Sequence, residues 1–117
     1  MKYALLCYNS QEKTSCLSEG EEAAMMARVR TAEDRIRQKA TIGPSLRLMP
    51  TTRASFVKAG EDPMVVDGPY AETKEQLLGF WIIDCDSHEE AIEAGKHLAR
   101  EREVGGIEVR PLLAFNP

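Results

Sequence analysis

Two short stretches constrain this chain most: Ser18-Glu19-Gly20-Glu21 and Ser87-His88-Glu89-Glu90. Each sets a serine ahead of a glutamate at capping-box spacing. The hydroxyl can accept from the N3 amide while the glutamate reaches back to the serine amide. Each therefore marks a helix start, and each follows an apolar run of strand character, residues 2–8 in one case and 78–83 in the other. Two strand-then-helix units in one short chain leave few ways to bury the apolar faces.

The first helix is expected over residues 19–39, with Met25, Val29, Ala32 and Ile36 on one stripe and Met26 and Ala40 beside it. Arg28, Glu33, Arg35 and Lys39 are assigned to the opposite, solvated face. Residues 9–17 read as a polar loop, and Gly43-Pro44 as the stop of the helical run. Three short strands are expected next: residues 45–49, the weakest, then 53–58 and 63–66 around a turn at Ala59-Gly60-Glu61-Asp62. The second helix carries Ala91, Ile92, Gly95, Leu98 and Ala99 on one face. A last strand alternates, with Ile107, Val109 and Leu113 opposed to Glu108 and Arg110. The order β-α-(β-hairpin)-β-α-β predicts a ferredoxin-like α+β fold with a mainly antiparallel sheet, in one domain of 117 residues. The strands at 2–8 and 78–83 are apolar on both sides, so the sheet face away from the helices also needs a cover. A second copy supplies it most simply, which predicts a homodimer.

The net charge of −4 argues against direct binding to the nucleic-acid backbone. No apolar run is long enough to span a membrane. The opening Met1-Lys2-Tyr3-Ala4-Leu5-Leu6 resembles a signal peptide, but the apolar run ends at Asn9, so a cytoplasmic protein is expected. Cys7 and Cys85 lie in apolar runs and read as buried thiols, and Cys16 lies in a polar stretch. No metal-ligand spacing, phosphate loop or nucleophile elbow is present, so no metal or cofactor is expected. His88 and His97 are both placed on the surface.

The chemistry concentrates in Asp67-Gly68-Pro69-Tyr70-Ala71-Glu72-Thr73-Lys74-Glu75, a segment longer and more charged than a tight turn requires. Asp-Gly is a turn signal, and Asp67 can simply cap that turn. Asp67 is also the candidate catalytic residue, a carboxylate beside a lysine at a strand end. Tyr70, Glu72, Lys74, Trp81 and Arg110 are the candidate ligand-binding residues. Trp81 can serve as core or as the wall of a cavity, and Arg110 can face water or a dimer interior.

At DGPYAETKEQLLGFWIID and GGIEVRPLL the chain resembles the YCII-related family in its DGPF-type branch, with Tyr70 where the branch has Phe. The resemblance runs through nearly the whole chain. It implies a dimeric α+β barrel built on the ferredoxin-like unit. In the wider family an Asp paired with a His lies in a pocket. Asp67 matches that Asp, and residues 19–39 contain no His to match its partner. The resemblance also implies a link to sigma factors, hence a regulatory or sensing role. Two readings follow. One is a small-ligand-binding or interaction module, with a possible sigma-factor partner. The other is a cofactor-independent enzyme using Asp67 as general acid or base in a pocket bounded by the DGPYAETKE segment, with Lys74 or Arg110 holding an anionic substrate.

Overall fold

The computed structural model describes residues 1–116. The chain runs β1 (Lys2–Ser10), α1 (Gln11–Ser15), α2 (Glu19–Ile36), β2 (Thr41–Arg47), a 3-10 turn (Thr51–Arg53), β3 (Ser55–Lys58), β4 (Met64–Asp67), β5 (Glu75–Asp84), α3 (His88–Ala99) and β6 (Gly106–Pro111). Four strands form one antiparallel sheet in the order β2-β5-β1-β6. That is the strand order of the ferredoxin-like unit, and α2 and α3 lie on one of its faces. The β3-β4 hairpin forms a separate two-stranded sheet inserted between β2 and β5.

The inward faces of the central strands alternate as the sequence requires. Tyr3, Leu5 and Cys7 from β1 and Trp81 and Ile83 from β5 share a core with Val29, Ala32 and Ile36 of α2 and Ala91, Ala94 and Leu98 of α3. Two glycines set how closely the layers approach. A Cβ on Gly95 would come within 2.8 Å of Val109 Cγ2, so the bare backbone lets α3 lie against β6. A Cβ on Gly79 would strike the Leu46 carbonyl of the adjoining strand.

Both serine caps form. Ser18 closes the full capping box, whereas at Ser87 the hydroxyl accepts from the Glu90 N–H at 3.2 Å without the returning glutamate bond. Glu21 is held below the usual carboxylate range because it accepts from the Ser18 amide, and its bond with the Ser18 hydroxyl acts the same way.

Several boundaries differ from expectation. Residues 9–17 are not all loop: β1 runs on to Ser10, and the Ser10 hydroxyl caps the short α1. The long helix ends at Ile36, so Gly43-Pro44 does not stop it. That pair lies inside β2, at a register irregularity between Ile42 and Ser45 on an edge strand, where a missing proline N–H costs no ladder bond. The strand expected to be weakest is therefore the one that joins the main sheet. Leu113 lies beyond β6 and is exposed rather than aligned with Ile107 and Val109. Glu33 does not lie on the solvated face, as described below.

The end of β5 is clasped to the start of β1. Asp84 accepts from Lys2 Nζ and from the Met1 amino group, each at 2.9 Å. These bonds, Lys2 first, lower its pKa from 3.8 to about 2. The folded value lies below the ordinary one, so the clasp stabilises the fold above pH 3.8 and is lost as pH falls toward about 2. Asp84→Asn should flatten the acid arm of the stability curve in that window, read from urea midpoints across acidic buffers. Gly79→Ala should lower stability by about 1–3 kcal/mol with an unchanged denaturant slope, because the clash is with backbone that cannot rotate away.

Candidate functional site

The apolar stripe of α2 closes onto the sheet only along its second half. Val29, Ala32 and Ile36 are buried, whereas Met25 and Met26, one turn earlier, are only partly covered. The space left beneath that first half is a cavity of about 620 Å³. Its volume lies within the range of about 300–1,000 Å³ typical of small-molecule sites. Met25, Met26 and Val29 line it from α2, and Gly79 and Trp81 from β5. Leu48 and Met49 follow β2 at its edge, and Thr14 and Ser15 of α1 with Leu17 close one end. Methionines suit such a wall, since the unbranched thioether adapts to irregular shapes.

Four charged residues also line the cavity: Glu22, Glu33, Arg47 and Arg102. Glu22 and Arg47 neutralise each other in an ion pair across its mouth. Glu33 accepts from Trp81 Nε1–H at 2.8 Å, which satisfies the indole and orients the carboxylate. Arg102 follows α3, its backbone N–H bonded to Ala99 O at 3.0 Å and its neighbour Glu101 paired with Arg28 of α2. Its Nε is shut off from solvent and has no hydrogen-bond partner among the described residues. A donor left in that state costs about 1–3 kcal/mol.

Asp67, Glu72 and Lys74 share a different place, an open cleft of about 540 Å³ with Gln11, Glu12 and Thr51. All three are exposed. Asp67 ends β4, Gly68 turns the chain with φ of 106°, and the Gly68 N–H bonds Ala54 O at 2.8 Å. The Gln76 amide donates to the Ala71 and Thr73 carbonyls, both at 3.0 Å, and so pins the segment to the start of β5. Tyr70 does not line that cleft. It packs on Phe56 of the hairpin at 5.3 Å between ring centroids and remains largely in water. Trp81 belongs to the cavity under α2, and Arg110 pairs with Glu108 at 2.8 Å on the sheet face away from the helices. The six candidate residues thus fall into separate places, with only Asp67, Glu72 and Lys74 together.

Sequence reasoning missed Glu33 and Arg102. Glu33 had a signal: with Val29, Ala32 and Ile36 it completes an i, i+3, i+4, i+7 set, so it occupies a core-facing position. Arg102 had none, because it follows the second helix in a run of mixed charges. The thiols lie as expected, with Cys7 and Cys85 buried and Cys16 exposed, and burial pushes the Cys85 thiol up. His88 is exposed beside Tyr3, and His97 is partly covered by Arg100.

Fold and cavity define a class of small α+β protein, a ferredoxin-like antiparallel sheet with a chamber between the sheet and its first long helix. The YCII-related domain matches residues 1–116, and the chain belongs to that family. It is 42% identical over 120 residues to an uncharacterised protein of Rhizobium meliloti (strain 1021), a match spanning 100% of this chain and 96% of that relative. No helix among the described residues is long and apolar enough to cross a membrane.

Trp81 is the only tryptophan in the chain and so reports on its bond to Glu33. Glu33→Leu should lower stability by about 1–3 kcal/mol and speed solvent exchange of the indole N–H, followed as the single indole NMR signal. Unchanged exchange would show that the bond does not form in solution.

Proposed function

We propose that this YCII-related protein is a small-ligand-binding module that acts as a homodimer. The cavity under α2 carries the reading: it is large, apolar for most of its wall, and has a few polar groups placed around it, as ligand sites do. Asp67 is exposed to water and lies outside that chamber, so its environment does little to support acid–base chemistry. A sensing role of the kind the resemblance implies would work through occupancy of the same chamber, with any sigma-factor contact downstream of it.

The dimer rests on apolar surface that one chain leaves in water. An isolated two-stranded hairpin is marginal. Here the β3-β4 hairpin pairs Val57 with Val65 on one face, 57% and 66% exposed, and Phe56 with Val66 on the other. The sheet face away from the helices adds Leu6 opposite Phe80, both partly exposed, with Ile82 on the same face. A second copy is the occupant that would cover the face and the hairpin together by two-fold symmetry.

Binding is tested with N-phenyl-1-naphthylamine, a neutral apolar probe, followed by quenching of Trp81. Met26→Phe, which adds bulk to the chamber without a second indole, should weaken the affinity roughly tenfold, a change of about 1.4 kcal/mol; no binding to the native protein would overturn the reading. For assembly, sedimentation equilibrium should give twice the 13.0 kDa chain mass. The double variant Val57→Lys, Val65→Lys should fall to monomer, and a monomeric native protein would overturn the dimer.

A further inference from the structure

Resting on the ligand-binding reading above, we infer that the chamber under α2 selects a ligand with an apolar body and an anionic head, a small carboxylate, and that Arg102 receives the head. Four charged groups line the chamber, and among the described residues only Arg102 makes no side-chain hydrogen bond or ion pair. Arg47 is paired with Glu22. Glu33 is engaged by the Trp81 indole N–H. Arg102 lines the chamber with its side chain only partly covered, and it makes no side-chain hydrogen bond or ion pair among the described residues. A guanidinium presents its donors as a planar fork that matches the two oxygens of a carboxylate. The guest's oxygens would accept from the guanidinium at the chamber wall, a charge-assisted bond stronger than a neutral one.

The remaining wall sets the rest of the ligand. Met25, Met26, Val29, Met49 and Trp81 offer apolar contact and an aromatic face, which fits a flat or branched hydrocarbon body rather than a sugar or a phosphate chain. Glu33 supplies the opposing charge. Because that carboxylate is already engaged by the Trp81 indole N–H, it offers a cation less than the unpaired Arg102 offers an anion.

Three probes with one naphthalene body separate these effects: 1-naphthaleneacetate, its neutral amide, and 1-naphthylmethylammonium. Each is titrated into the native full-length protein by calorimetry, with Trp81 fluorescence as a second readout. The carboxylate should bind at least roughly tenfold more tightly than the amide, a difference of about 1.4 kcal/mol. The cation should bind weakest. Arg102→Met, which keeps the bulk and removes the charge, should erase the carboxylate's advantage and leave the amide unchanged. Arg102→Gln provides a second variant should the first fold poorly, and the preference among probes in the native protein needs no variant. Equal binding of acid and amide, unmoved by either substitution, would overturn the role of Arg102 while leaving the chamber a ligand site. Tightest binding of the cation would overturn it in favour of Glu33. Failure of all three probes together with the neutral naphthylamine would overturn the chamber itself.

Discussion

The structure depends on one packing constraint: two helices must cover one face of a four-stranded sheet whose central strands cannot be left wet. Leu5, Ile83 and Leu98 are the largest fully closed side chains and lie in the core where sheet and helices meet. Truncating a residue of this kind typically costs about 2–5 kcal/mol, so the placement of both helices is tightly held. α3 reaches full contact because Gly95 offers no side chain to Val109. α2 does not achieve this along its whole length. Its second half is sealed by Val29, Ala32 and Ile36, while its first half stands over the chamber. The core and the candidate site are thus two consequences of one helix.

That arrangement places charge where apolar packing would be simpler. Trp81 needs a partner for its indole N–H once it enters the core, and Glu33 provides it at the edge of the stripe. Arg102 lines the same chamber from the turn after α3, where its neighbour Glu101 pairs with Arg28. A closed chamber would have favoured aliphatic residues at both positions. An open one can retain polar groups, because a guest or water completes their bonds.

The segment from Asp67 to Glu75 shows how far local chemistry could be read. Its turn was legible: Asp-Gly after a strand signals a turn, and Gly68 makes it with φ of 106°. Its place was not, because nothing nearby in the chain says that the hairpin before it leaves the main sheet. Once the hairpin stands apart, the segment follows it to an open cleft, Tyr70 packs on Phe56, and Trp81 ends up in another chamber. The candidate residues lie in separate places for this reason. Helices and strands place neighbours in the chain on opposite faces, and Trp81 and Arg110 are separated by the sheet itself.

By itself the sequence determined the serine-capped helix starts, the faces of the two central strands, the hairpin turn and the α+β class. Each of these is settled by neighbours within a few positions, through hydrogen-bond geometry or the period of apolar residues. Tertiary structure decided that Gly43-Pro44 belongs to an edge strand, since a bulge against β5 supplied the space. It also decided that Glu33 faces inward, where the Trp81 N–H awaits it, and that Arg102 borders the chamber. Those outcomes depend on partners distant along the chain, 48 positions apart for Glu33 and Trp81, and no local propensity encodes which of them will meet.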